Sequence, residues 1–439
     1  MPTPTPTGTS APVEAMEARE AEDGVCAAAA AAATEGVSAA AAKVPHAAAP
    51  ARTGNAVLLA VIALCTAVTA ANIYLAAPLL GMIARDFGVA PSAAGWIASV
   101  AQLGYAVGLL VFAPLGDTAD RRRLVAVLSA VAGAALVAAT VAPGLPGLAA
   151  AVLVACAATV VPQLLVPLVA ERAPADRRGR HVSVVVAGLF TGIVAARVLG
   201  SVAGQAYGWR AVFLGSAALT VAIGLLTALL LPAETRPRRA SRPLKSIAAL
   251  PGVLRGSADL RAACLRQAGL FGAWSSLWTS LALLLTGDEP FHLSMASAGL
   301  FGLFGLVSTA VAPVSGTLID RFGAPRLVTA AYALTVVSLP LFWLGGHRLW
   351  ALCAGAVFIH AGLMAGQVAN QTRALASTGT PAMANTAYVV TAFVGGAGAS
   401  ALAGSAYAHW GWNGVCAIAA AAVALGWAGG ALIGRRAHA

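Results

Sequence analysis

Apolar residues run along this chain in long unbroken stretches, not in short alternating ones. Twelve stretches can be marked off after residue 54, at about 55–83, 93–115, 124–142, 148–170, 182–206, 211–231, 262–286, 295–318, 327–345, 349–372, 385–408 and 413–433. A helix rises 1.5 Å per residue, so about 20 residues cross the ~30 Å hydrocarbon core of a bilayer. A helix also satisfies its own backbone N–H and C=O groups, which hydrocarbon demands. A β-barrel would need segments of about ten residues with alternating polarity. The pattern predicts an all-α integral membrane protein with twelve transmembrane helices.

The polar breaks between stretches recur. APLGDTADRRR, residues 113–123, follows the second stretch, and GTLIDRFGAPR, residues 316–326, follows the eighth. Asp117 and Asp320 are 203 positions apart, Gln163 and Gln367 are 204 apart, and Gly204 and Gly404 are 200 apart. A near-constant offset points to an internal duplication. Two pseudo-symmetric six-helix bundles are expected, 54–231 and 262–434, joined by a basic cytosolic linker, 232–261, and followed by a short cytosolic tail, 435–439. Residues 1–53 hold Pro-Thr repeats, an acidic patch and alanine tracts. No basic stretch precedes an apolar core there, so the reading is a disordered cytosolic tail and not a signal peptide.

Composition agrees: 59% of residues are hydrophobic and 10% charged, with mean hydropathy +0.83, which excludes a soluble domain. The net charge of +11 does not point to nucleic acid, because the basic residues fall in alternate loops. The loops after even-numbered stretches hold seventeen Arg and Lys, and those after odd-numbered stretches hold three, Arg85, Arg210 and Arg348. Positive loops stay inside, so both termini are expected in the cytosol of a cell with this multi-pass protein in its cytoplasmic membrane. The linker, with Arg236, Arg238, Arg239, Arg242, Lys245, Arg255 and Arg261, is expected along the anionic inner leaflet. The six cysteines form no CxxC pair, so metal or disulfide use is not expected. Only two lysines exist, Lys43 and Lys245, and neither follows a glycine, which excludes a Walker A phosphate loop. No HExxH or GxSxG motif suggests an enzyme.

Twelve helices in two halves, a basic central linker and a doubled GxLxDRxGxxR loop resemble the major facilitator superfamily. In the second loop Gly316, Leu318, Asp320, Arg321, Gly323 and Arg326 fill that signature; in the first, Leu115, Asp117, Arg121 and Arg122 match, while Ala113, Thr118 and Asp120 depart from it. ANIYLAAPLL (71–80), VVPQLLVPLVAERAPADRRGR (160–180) and ANQTRAL (369–375) are similar to the efflux branch of that superfamily, which implies a drug/proton or sugar-efflux antiporter. The fifth stretch departs from that branch. GLFTGIVAARVLGSVAG keeps Gly188, Gly192, Gly200 and Gly204 but carries Arg197. The resemblance implies a monomeric secondary transporter exporting a small organic molecule (a drug, sugar or amino-acid-like metabolite) by alternating access. It implies no cofactor beyond an ion gradient, such as protons, and makes the two loops conformational latches built on Asp117, Arg121, Arg122, Gly316, Asp320, Arg321, Gly323 and Arg326. An uncoupled facilitator or exchanger and a transporter-like sensor are the alternatives.

The resemblance also implies a cavity between the halves, lined by the first, fourth, seventh and tenth helices with help from the second, fifth, eighth and eleventh. The polar residues available there are Asn72, Gln102, Tyr105, Gln163, Arg197, Gln267, Trp274, Trp278, His360, Gln367, Gln371 and Tyr388, with Thr69, Ser99, Thr159 and Thr391 beside them. On helical spacing His360, Gln367 and Gln371 share a face, as do Gln267, Trp274 and Trp278. Each has a bland alternative, since Gln and Asn often bond across a helix pair and His packs. Arg197 is the sharpest signal. No Asp or Glu lies well inside any stretch, and a guanidinium in the membrane needs water, a partner or backbone carbonyls. It either faces the cavity and meets an anionic substrate or snorkels toward the outer end. Proton coupling would fall to His360 or to the rim residue Asp117.

Overall fold

The computed structural model describes residues 52–117, 119–174, 177–232, 243–287 and 290–438. Of the expected tail, 1–53, residues 1–51 lie outside them, as do linker residues 233–242 and the side chain of Asp117. Among the described residues there is no strand, and eleven helices are long and apolar enough to cross a membrane. Ten are α1 Ala56–Tyr74, α2 Pro91–Gly116, α3 Arg121–Thr140, α4 Leu145–Arg172, α5 Arg178–Tyr207, α6 Trp209–Leu230, α7 Ala258–Thr286, α8 Met295–Phe322, α9 Ala324–Gly345 and α10 Leu349–Ala376. The last, Pro381–His438, contains Gly411 at φ 58° and ψ −149°, a conformation that glycine reaches without a Cβ penalty. The chain turns there, giving α11 (381–410) and α12 (412–438). Twelve spans follow among the described residues, and Ala56–Ala439 cluster as one compact unit.

The expected ends shift where hydropathy is a poor guide. The first apolar stretch, 55–83, is not one helix: it stops at Tyr74, makes a 3-10 turn at Ala77–Leu79 and resumes at Leu80–Asp86. Pro78 has no N–H to donate and its ring disfavours helix in the residue before it. By contrast α7 starts at Ala258, ahead of the apolar residues, because Ser257 caps it by accepting from the Leu260 N–H. Likewise α5 begins at Arg178, and the terminal helix runs on through His438. Charged turns at helix ends remain helical outside the hydrocarbon. In the linker, Pro243–Gly256 is helical, and Val253 and Leu254 pack on Leu260, Cys264 and Tyr388 of the second half.

Within each half, small residues bring helices together. In the first half α3 packs on α6 and α2 on α4, and in the second α9 packs on α10 and α7 on α11 and α12. Gly192 of α5 sits so close to α1 that an added Cβ would lie 2.0 Å from the Ala67 carbonyl oxygen. The halves meet through α2 with α11, α5 with α8, and the end of α1 with α7.

Candidate functional site

The glycine contact between α5 and α1 places the next turns of α5 beside the end of α1, where the helix break leaves Tyr74 facing inward. From the other half, α7 presents Trp274 and Trp278, four residues apart and therefore on one face. Their rings lie 6.1 Å apart with planes 9° from parallel. Arg197 enters between these elements. Its guanidinium carbon lies 4.8 Å from the Trp274 ring centre, 5.1 Å from that of Trp278 and 5.3 Å from that of Tyr74. The residue is 5% exposed, pairs with no carboxylate among the described residues, and its buried Nε has no hydrogen-bond partner. Aromatic faces attract a cation, but they do not replace the in-plane acceptors that a guanidinium fork can hold.

α8 closes over Arg197 through an unusual surface. Its segment Leu300–Phe304 is a 3-10 helix, in which residues three apart eclipse one another. Gly299, Gly302 and Gly305 therefore form a straight row. A Cβ on Gly302 would lie 2.7 Å from Cβ of Arg197, and one on Gly299 2.4 Å from Cβ of Ser201. Beside the row, the Ala296 N–H donates to Oε1 of Gln205 at 2.8 Å. These contacts join the halves at the end of the bundle away from the 113–123 and 316–326 loops. At the loop-bearing basic end, the ion pairs Arg121–Glu171 and Arg373–Asp259 each stay within one half.

Two small cavities flank Arg197. One of about 40 Å³ is lined by Pro78, Ser201, Trp278, Met295 and Phe301 beside the arginine, and one of about 10 Å³ by Tyr74, Gln102, Trp274 and Thr279. Space of that size suits a few water molecules and no larger organic molecule.

The expected candidates separate into two sets. Gln102, Trp274, Trp278 and His360 gather near Arg197. Trp274 Nε1–H donates to Nε2 of His360 at 3.2 Å, and Nδ1 of His360 lies 2.8 Å from the Ala356 carbonyl. Both imidazole nitrogens are thus engaged in a neutral ring. Gln102 Nε2–H donates to Ser275 at 2.6 Å and reaches Ser400 at 3.4 Å, while its Oε1 is left without a partner.

Other candidates serve elsewhere. Asn72 donates to Thr220 at 3.0 Å and accepts from Ser216 at 2.6 Å, both on α6 of its own half. Gln163 donates to the Tyr105 hydroxyl at 3.1 Å. Gln371 donates to Asn385 at 2.7 Å, and Tyr388 donates to the Gln367 carbonyl at 3.0 Å. Gln267 is buried with Oε1 unpartnered, as is the Ser99 hydroxyl. Thr69, Thr159 and Thr391 turn back to carbonyls of their own helices.

The two loops differ. Arg121 donates from Nη1 and Nη2 to both Glu171 oxygens, at 2.8 and 3.1 Å, and from Nε to the Gly116 carbonyl at 2.9 Å. The Arg122 N–H donates to Asp120, which caps α3. In the second loop Asp320, Arg321 and Arg326 are exposed, and Asp320 makes no ion pair among the described residues. Arg321 lies over the Phe322 ring, Arg326 donates to the Phe322 carbonyl at 3.4 Å, and Gly323 turns the chain at φ 83°. A Cβ on Gly316 would meet open space.

Sequence reasoning missed the hydroxyl cluster Ser275, Thr279 and Ser400, in which Ser400 lies 2.7 Å from Ser275 and 3.1 Å from Thr279. The spacing of Ser275 and Thr279, one residue past each tryptophan, was the available signal. It also missed Arg266 in α7, half-buried, which donates to the Gly430 carbonyl of α12 at 3.0 Å.

With that geometry in hand, known proteins can be set beside the chain. The family profile of the Major Facilitator Superfamily matches residues 62–400. A probable transporter of Streptomyces coelicolor is 64% identical over 389 residues, 88% of this chain and 90% of its own length. A chloramphenicol resistance protein of Streptomyces lividans is 31% identical over 344 residues, covering 76% and 85% respectively. Among solved structures, the nucleoside transporter NupG aligns with a TM-score of 0.71 at 12% identity, over 86% of this chain and 99% of that one. A bacterial homologue of the lysosomal transporter Spinster, inward-facing and unoccupied, aligns with a TM-score of 0.64 at 15% identity, over 88% and 95%. These last two likenesses are likenesses of fold.

Proposed function

This chain belongs to the Major Facilitator Superfamily and is a membrane transporter, and on that premise we propose that it exports a small organic molecule by alternating access. The observation that carries the reading is the difference between the two ends. At the end away from the loops the halves meet at the α5–α8 glycine row and where Gly95 of α2 lies against Gly404 of α11, whereas the ion pairs Arg121–Glu171 and Arg373–Asp259 at the basic end each brace one half. Two halves held together most closely at that end can rock about the buried centre at Arg197 and open the other. The basic end then faces the cytosol of a bacterial cell, with both termini inside. The first loop acts as a brace that moves with its half, and one chain suffices because both walls of the site come from it.

Export is supported by the relative named for chloramphenicol resistance. An uncoupled carrier is favoured over proton antiport by the engaged His360 ring and by the placement of acidic residues at span ends or in loops. Untargeted metabolite comparison of a deletion strain with its complemented parent tests the function. A compound that accumulates inside the deletion strain and is depleted from its medium, with both effects reversed by the intact gene, is the expected result. Indistinguishable profiles would contradict a carrier.

A further inference from the structure

We infer that Arg197 receives the anionic group of the transported molecule, and that this molecule is an organic monoanion with a flat apolar body. The inference rests on the carrier reading above and names its substrate class. A guanidinium stays protonated in proteins and carries five N–H donors in a planar fork. Buried at 5% exposure among three aromatic rings, this one has neither a carboxylate partner nor an acceptor for its Nε–H among the described residues. A carboxylate offers two oxygens matched to that fork, and the match is strongest where water is excluded.

The surroundings restrict what can carry the carboxylate. Both cavities beside Arg197 have aromatic walls, Trp278 and Phe301 on one side, Tyr74 and Trp274 on the other. Flat apolar surfaces stack on such rings. Gln102, 4% exposed, lines the second cavity, and its unpartnered Oε1, which lies against Gly396, would take a hydrogen bond from a donor on the same molecule once the halves part. A cationic substrate would meet the arginine's like charge, with no carboxylate among the side chains that line either cavity.

Charge also supplies a driving force. A carrier that moves one monoanion outward per cycle transfers one negative charge down an inside-negative potential. That biases the distribution about fiftyfold per 100 mV, with no titrating carboxylate required in the membrane.

Calorimetric titration of the purified full-length protein with benzoate, phenylacetate and 2-naphthoate, each against its uncharged amide, tests the inference. At least one carboxylate is expected to bind saturably, with its amide at least tenfold weaker, and Arg197→Gln is expected to weaken that carboxylate at least tenfold. If no carboxylate binds, if amides bind as well as acids, or if Arg197→Gln binds the acid unchanged, the inference is overturned. The acid-to-amide comparison on the unaltered protein holds even if the variant fails to fold. Chloride displacing the carboxylate at equal concentration would overturn the flat-bodied ligand. Carboxylate binding without exchange of label across proteoliposome membranes would uphold the anion site and contradict the carrier. Exchange of neutral or cationic compounds alone would do the reverse.

Discussion

Asn72 and Arg197 are both polar, both buried in the membrane-spanning core and both conspicuous in the sequence, yet their surroundings are opposite. Asn72 has partners for its amide donor and its oxygen, Thr220 and Ser216, and all three belong to one half. Arg197 lies between the halves, touches rings from each, and keeps an unpartnered Nε. A buried polar group whose partners are all present joins helices. One whose partners are missing, where the two halves meet, is where we infer that a ligand binds. The same distinction separates Tyr388, spent on the Gln367 carbonyl, from Gln102, whose Oε1 is idle.

The largest effect expected is on Arg197. Removing one partner of a buried charge pair costs about 2–5 kcal/mol, so Arg197→Gln should weaken substrate affinity roughly thirtyfold or more. Folding should not suffer, because an uncompensated buried charge is being removed; thermal unfolding in detergent should give an equal or higher midpoint. A large loss of stability in this variant would erase the contrast with Asn72. Asn72→Ala should do the reverse. It strands the buried Thr220 hydroxyl and the half-buried one of Ser216, at about 1–3 kcal/mol, and should lower the unfolding midpoint while affinity stays within about twofold.

Smaller effects sharpen the picture. Trp274→Phe keeps a ring beside Arg197 but removes the donor to His360, a loss of about 1 kcal/mol of stability, so the unfolding midpoint in detergent should fall by less than in Asn72→Ala. His360→Gln should leave the pH profile of transport unaltered, since both ring nitrogens already have partners in the neutral form. A flattened profile would return protons to the mechanism.

Much of this was legible in the sequence, and for physical reasons. Hydrocarbon imposes long apolar runs, and duplication repeats the polar breaks, so twelve spans in two halves could be read directly. Arg197 stood out because acidic residues are missing from the span interiors, and Trp274 and Trp278 because of their spacing. Asn72 could not be told from a cavity residue, since its partners lie on α6, distant in sequence. The hydroxyls of Ser275, Thr279 and Ser400 were passed over because hydroxyls in apolar helices commonly bond to their own carbonyls, as Thr69 does. The row of Gly299, Gly302 and Gly305 stayed hidden for another reason. At 3.6 residues per turn those positions would spiral around the helix, and only the 3-10 segment lines them up.

The claim that the two halves pivot about the Arg197 contact is tested most directly by paired spin-label distances. One pair at the exposed positions Tyr207 and Leu300 reports the end where α5 meets α8, and one at Arg180 and Arg326 reports the basic end. Gly302→Val places bulk where a Cβ alone would come within 2.7 Å of Arg197, so it should force α5 and α8 apart. The account predicts that this substitution lengthens the first distance and shortens the second. Two distances that move in the same direction, or that both stay put, would contradict it.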